Sequence, residues 1–396
     1  MHSPIAAADR LALRLLSLAY FVQAVGALSV VGSLQAISVA WALSSAQSAL
    51  LITVFGVTFA LAAPLLQMTL GHLRRRSQVL LGLSIFSAAA LLFAAAPDYR
   101  TLLASRVLMG LGAGFIGPVL GALGSNLVAR EHQGSAIAIV LLGLSVAGLA
   151  GMPISAWIAQ ELGARSLFLG IGVSGLLIAA LIFVWVPDRV AGQRIVAADV
   201  LALLTGATSL SAFLVVFFVT TGVFTTYAFL APIIGNDFHR SAGDITLALT
   251  VLGVAGVLGN LLVTRLALRV SAERLLLLGI GLLALDLLSL AVMPRLFGGL
   301  LLALAIWALA TDIVWPSQQR RIVELMPEQR GIALALTASF MFAGIGTGSA
   351  VAGWLYPILG YTGLLLASLL FLLLAFISLR FSEWRAQAQG TLPGLT

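Results

Sequence analysis

The sequence predicts an all-α integral membrane protein of twelve spanning helices, arranged as two parallel six-helix halves with both termini in the cytoplasm. Three observations predict it. First, 61% of the 396 residues are hydrophobic and 9% are charged, whereas soluble domains carry about 25% charged residues. With a mean hydropathy of +1.12, the chain cannot cover a water-facing surface, and it lacks the polar composition of a disordered one. Second, apolar runs of spanning length, about 20 residues, recur between charges and turn signals. Third, the second half of the chain repeats the first.

The spans follow in order. The first, 14–38, is too long for a cleavable signal peptide. Next come 47–70, which ends before Arg74, Arg75 and Arg76, then 78–96, closed by Pro97, and 101–128. Spans 134–159 and 165–187 complete the first half, residues 1–190. A short cytoplasmic linker, 191–206, holds Arg194 and Asp199. The second half, 207–396, repeats the plan with 207–233, 243–266, 274–293, 297–319, 331–356 and 361–382.

Orientation follows from the arginines, which favour cytoplasmic loops. With the N-terminus inside, Arg10, Arg14, Arg74, Arg75, Arg76, Arg130, Arg189, Arg194, Arg265, Arg269, Arg274, Arg320, Arg321, Arg330, Arg380 and Arg385 are cytoplasmic. Arg100, Arg106, Arg165, Arg240 and Arg295 are left outside or within spans. An odd number of spans would scatter these clusters to both sides.

A shift of 197 residues aligns the halves without gaps. Thr53, Gly56, Leu80, Gly82 and Pro97 fall on Thr250, Gly253, Leu277, Gly279 and Pro294. Glu131, Gly134, Ala136 and Ala138 fall on Glu328, Gly331, Ala333 and Ala335; Gly151, Trp157 and Gly163 fall on Gly348, Trp354 and Gly360. Leu and Ala matches are cheap in such a sequence; Pro, Trp and Glu at one offset are not. Two like halves about a central site are the plan of alternating-access carriers.

Composition excludes several classes. There is no Cys, so no disulfide, thiol nucleophile or Cys metal site. All 21 basic residues are Arg. A sequence pI near 10.9 would suggest nucleic acid in a soluble protein; here loop arginines account for it. His2, His72, His132 and His239 fall outside the spans, and neither HExxH nor a phosphate loop occurs. An enzyme and direct ATP coupling are therefore not expected, and neither a cofactor nor a metal is. The expected partners are the lipid bilayer and a small-molecule substrate, with no nucleic acid and a monomeric chain.

Four stretches carry a family resemblance. Pro64-Leu65-Leu66-Gln67-Met68-Thr69-Leu70-Gly71-His72-Leu73-Arg74-Arg75-Arg76 is similar to the GxxxDRxGRR loop signature of the major facilitator superfamily. Arg75 and Arg76 match its closing pair; Gln67, Gly71 and His72 stand where Gly, Asp and Arg are usual. Three arginines in a tight loop can also simply anchor topology. Arg106 to Gly114 resembles the RxxxGxGxG pattern, with Gly110, Gly112 and Gly114 lowering the helix surface for a neighbour. Gly148-Leu149-Ala150-Gly151-Met152-Pro153, with Gly163 and Arg165 beyond, resembles the glycine-proline motif of the drug:proton antiporter-1 and arabinose (sugar) efflux permease group, its Gly-Pro pair split by Met152. Phe224 to Pro232 resembles the aromatic-Thr-Tyr stretch of those permeases, a cavity-lining helix in the family. The resemblance covers essentially the whole chain. It implies the major facilitator fold, a bacterial inner-membrane location and secondary transport, with the Gly71, His72, Arg75 and Arg76 loop in gating.

The residues that could carry transport are few. Only Asp286 and Asp312 sit well inside hydrophobic runs, and an intramembrane acid is a proton-carrier candidate. Asp312 lies between Trp307 and Trp315 in a span that resembles a cavity-lining helix; an aromatic beside an acid suits amphipathic or cationic molecules. Asp286 lies in a span usually peripheral in the family and reads as structural. Arg106, some six residues inside its span, is a second coupling candidate, although an arginine this near a span end can snorkel. Gln23, Thr226 and Tyr227 are substrate-cavity candidates. Gln23 and Gln35 stand in the first span, where many relatives have a carboxylate, so the first half holds no intramembrane acid. Trp41, Trp157, Trp185 and Trp354 read as interface anchors. The expected function is proton-coupled efflux of a small organic molecule, a drug, sugar or metabolite. The alternatives are an uncoupled facilitator or importer, and a non-transporting sensor or assembly partner on the same fold.

Overall fold

A computed structural model describes residues 7–188, 190–266, 269–292 and 295–388. His2, Arg189 and Pro294, used above, lie outside the described residues. The helices are α1 (Ala7–Ala40), α2 (Ser45–Leu70), α3 (Arg75–Ala95), α4 (Tyr99–Asn126), α5 (Gln133–Val146), α6 (Met152–Glu161), α7 (Ala164–Trp185) and α8 (Ala197–Thr205). They continue with α9 (Ala207–Tyr227), α10 (Leu230–Pro232), α11 (Ala242–Leu266), α12 (Ala272–Val292), α13 (Phe297–Leu325) and α14 (Arg330–Ala388). A π-helical turn, Ala147–Gly151, joins α5 to α6, and another, Ile233–Asp237, follows α10.

Among the described residues, eleven continuous helical stretches are long and apolar enough to cross a membrane, the last of them the 59-residue α14. That helix is two segments meeting at Gly360, whose φ is 60°. Gly163, its repeat partner, has φ 88° and opens α7. Only glycine adopts this left-handed region freely, so the matched pair marks the same helix-to-helix corner in both repeats. The sequence places α8 inside a linker; the structure makes it a nine-residue helix with Val200 and Leu203 buried and Leu201 exposed.

The chain divides into two compact units, Met1–Leu43 with Leu61–Ile195, and Ser44–Ala60 with Val196–Thr396. In the first, α3 packs on α4 and α7, and α1 on α5 and α7. Glycine sets the closest approach: a Cβ on Gly82 would lie 2.6 Å from Phe115 Cβ and 2.7 Å from the Gly112 carbonyl oxygen. In the second, α9 packs on α14, and α13 on α11 and α12. There Gly279, the repeat partner of Gly82, takes the same part, since a Cβ on it would lie 2.5 Å from Val314 Cγ2. The start of α2 packs on α14 within this second unit: Thr53 Oγ1 donates to Gly346 O at 3.0 Å, and Ser349 Oγ to Ala49 O at 3.0 Å.

Polar groups close the helix ends. Asp98 caps α4, accepting from the Thr101 amide at 2.8 Å and its hydroxyl at 2.9 Å. These bonds favour the ionised carboxyl and hold its pKa below the usual aspartate value. The cap therefore stabilises the fold fully above the unfolded-state pKa, and that stabilisation is lost as pH falls through the lower folded-state value. Thermal unfolding of Asp98→Ala against the parent protein should show a deficit at neutral pH that disappears in strongly acidic buffer. Nearby, Arg165 donates to Ala94 O at 3.2 Å and Ala96 O at 3.1 Å. It places a cation at the negative end of α3. The Trp41 indole donates to the same Ala96 O at 3.1 Å and lies under Arg165, 4.9 Å away. Trp41 is thus built into the first unit, where the sequence suggests an interface anchor.

Candidate transport site

Asp312 stands near the middle of the 29-residue α13. Two local features loosen the helix there. Thr311 Oγ1 donates back to Trp307 O and Ala308 O at 3.0 and 2.9 Å. Pro316, four residues on, has no N–H for the Asp312 carbonyl. The carboxyl is received by α11: a Cβ on Gly256 would lie 2.7 Å from Asp312 Oδ2, and one on Gly259 3.0 Å from Asp312 Cβ. These two glycines leave the space the acid occupies. Asp312 is half-buried and makes no hydrogen bond or ion pair to a described residue. The repeat puts the buried Phe115 of α4 at the equivalent position, so the acid belongs to the second half alone. Trp307 is buried and Trp315 half-buried on the same helix. Gly256→Ala should displace the carboxyl and slow gradient-driven flux on the order of tenfold. Its thermal stability should change little, because the clash is with the far end of a side chain.

The other candidates in the second unit divide. Tyr227 is half-buried, meets Phe224 edge-on at 5.4 Å, and has no hydrogen bond to a described residue. Thr226 bonds the Ser368 hydroxyl of α14 at 2.8 Å and is buried; its polar atom serves helix packing.

In the first unit, Arg106 is wholly buried. Its Nη1 donates to Gly26 O and its Nη2 to Ala27 O, both at 3.1 Å, with Met109 Sδ 3.7 Å from Nη1. It ties α4 to α1 and does not snorkel. Gln23 is buried too, its amide oxygen without a hydrogen-bond partner among the described residues.

In the loop, Gly71 stands where the resemblance implies an acid, and a neutral pair lies beside it. Gln67 Nε2 donates to Gln78 Oε1 at 3.0 Å, and Gln78 Nε2 to Gly71 O and Leu73 O at 3.1 and 2.7 Å. Arg74 pairs with Asp188 at 3.2 Å. Arg76 donates to Val186 O and Phe183 O at 2.9 and 2.8 Å. The linker is strapped down as well: the Arg75 amide donates to Val190 O at 3.0 Å, and Arg194 Nε to His72 Nδ1 at 3.2 Å. A Cβ on Gly71 would lie 2.9 Å from Gln193 O, and one on Gly192 would run into the Leu73 and Gly71 carbonyls.

The packing glycines are not alike. Gly110 and Gly112 are buried in α4; Gly114 meets Ala62 and Ala63 of α2, its Cβ position 3.1 Å from both. Gly151 meets Val25 of α1, 2.5 Å from its Cβ position, and Gly143 abuts the Ser17 carbonyl. Gly148, expected to pack, is exposed with nothing within 4 Å. The π turn rotates this stretch of the motif: the Met152 amide reaches back to Ala147 O, and Pro153 follows, buried, at the start of α6.

One cluster escaped the sequence reading. Arg321, wholly buried, bonds Glu273 Oε1 at 3.3 Å and Ser382 Oγ at 2.8 Å, joining α12, α13 and α14. Its repeat partner is Gly124 and that of Glu273 is Arg76, so no repeat signal marks the pair.

Two bundles of apolar helices, each held by glycine contacts and each keeping a few buried polar side chains, define a polytopic carrier. Residues 16–208 and 212–391 match the Major Facilitator Superfamily, and the chain belongs to that family. It is 30% identical over 337 residues to the inner membrane transport protein YdhP of Escherichia coli (strain K12), covering 84% of this chain and 86% of that one. It is 26% identical over 341 residues to a probable sugar efflux transporter of Mannheimia succiniciproducens, covering 84% and 85%. Among solved structures, a bacterial homologue of the human lysosomal transporter Spinster, inward-facing and unoccupied, superposes with a TM-score of 0.77 over 99% of this chain and 100% of that one, at 15% identity. The chain is therefore a multi-pass membrane transporter, not an enzyme.

Proposed function

We propose that the chain exports a small organic molecule across the bacterial inner membrane by alternating access, driven by a proton that enters through Asp312. The observation that carries this reading is the Asp312 carboxyl, set in a glycine-lined slot of α11 without a hydrogen bond or ion pair to a described residue. An acid fixed by a salt bridge would have no reason to change protonation; one left unpaired at this depth can gain and lose a proton as its surroundings change. Efflux of a sugar or similar metabolite is supported by relatives named as an inner membrane transport protein and a probable sugar efflux transporter. The absence of an intramembrane acid from the first half, with Gln23 in α1, favours neutral or mildly polar substrates over strongly cationic ones. Both termini are cytoplasmic on the arginine distribution, the chain works as a monomer, and the proton gradient is its energy source.

The test is transport in proteoliposomes under an imposed proton gradient, across sugars, nucleosides, amino acids and amphipathic drugs. Gradient-driven export that Asp312→Asn lacks supports the reading. Flux indifferent to both gradient and variant makes the chain an uncoupled facilitator.

A further inference from the structure

A second buried acid is not used by the Asp312 reading. Asp286 of α12 is 3% exposed, and both of its carboxyl oxygens are buried without a hydrogen-bond partner among the described residues. The Tyr361 hydroxyl of α14 is buried and has no hydrogen-bond partner among the described residues either. Asp286, Arg295 and Asp237 all lie within electrostatic reach of that phenol. Arg295 sits over the Tyr361 ring at 5.8 Å and 3.8 Å from Asp237, whose other oxygen accepts from the Tyr356 hydroxyl at 2.7 Å. Elsewhere around α12, α13 offers no titratable side chain from Phe297 to Thr311, with Asp312 the first beyond. Arg240 lies over Phe297 at 5.0 Å, and Glu273, at the far end of α12, is taken by Arg321.

Two orphaned polar groups on adjoining helices, at the edge of an ion-paired cluster, are a place for a ligand with almost no volume. An ionised carboxylate in that position would be buried with no hydrogen bond to a described residue. We propose that Asp286 and Tyr361 form a second proton-binding site, separate from Asp312 and reached from the Arg295–Asp237 end. Loading takes a proton from water at that end onto the carboxylate, giving the carboxylic acid; unloading returns the proton to water, with Arg295 the nearby cation. The phenol holds the acid in place through one water.

Infrared difference spectra of the purified protein in lipid nanodiscs test this without a substrate or gradient, so they stand apart from the Asp312 reading. The signal is the C=O stretch of a protonated carboxyl, followed on a step in pH and on exchange into heavy water. Asp286→Asn should lose one such band that Asp312→Asn keeps. Tyr361→Phe should move that band, and heavy water should shift it in the parent protein. An Asp286→Asn spectrum identical to the parent overturns the proposal. A band that neither Tyr361→Phe nor heavy water moves overturns it equally. If Asp286→Asn does not fold, the Tyr361→Phe and heavy-water arms decide alone.

Discussion

Asp312→Asn is expected to reduce proton-driven flux to the level of protein-free vesicles while leaving the fold intact. The amide has nearly the volume of the acid, so the Gly256–Gly259 slot still accepts it. No hydrogen bond or ion pair is broken, because the carboxyl makes none to a described residue. A substitution of this kind away from a polar network costs about 0.5 kcal/mol or less. The amide differs in one respect that matters: it does not carry a proton at neutral pH. Flux should therefore collapse while substrate-for-substrate exchange at equal pH persists. A variant that exports as fast as the parent under the same gradient would remove Asp312 from the coupling path.

The second large effect is on stability. Arg106→Lys should destabilise the protein more than Arg106→Met, although lysine is the chemically closer replacement. The guanidinium fork reaches two adjacent carbonyls of α1 at once; an ammonium on a flexible stem does not reproduce that fork. Lysine thus keeps the buried charge and loses part of its solvation, a loss of about 3 kcal/mol by analogy with broken buried pairs. Methionine removes charge and desolvation penalty together, and the Gly26 and Ala27 carbonyls lose only bonds that in membranes average about 0.6 kcal/mol each. Thermal unfolding of the two variants in one detergent orders them. A methionine variant less stable than the lysine one would show that the charge itself holds α1 to α4.

The spans were legible because their signal is local: length, hydropathy and the next charge. The repeat was legible because Gly163 and Gly360 obey one backbone constraint, and Gly82 and Gly279 one packing constraint. What the sequence hid depends on partners far along the chain. Nothing local says that Gln67 will meet Gln78, or that Arg106 will find carbonyls 80 residues away. Nor does the sequence of α9 show that Thr226 will bond Ser368. Gly148 lies in the π turn and is exposed, while Gly143 and Gly151 on either side make the contacts with α1. Arg321 and Glu273 read as loop charges, because burial at a helix end leaves hydropathy unchanged.

The strapped linker has a mechanical consequence. Covalently, residues 191–206 could stretch to roughly 50 Å at about 3.3 Å per residue. Asp188, Val190, Arg194 and Ile195 are, however, fastened to Arg74, Arg75, His72 and Gln67, and α8 takes up Ala197–Thr205 at 1.5 Å per residue. Beyond α8 the chain is tied as well, the Ser209 hydroxyl donating to Leu203 O at 2.6 Å and to Gly206 O at 3.0 Å. The leash is short, with its length set by hydrogen bonds and not by residue number. Lengthening it would take either unfastening the strap or unwinding one small helix.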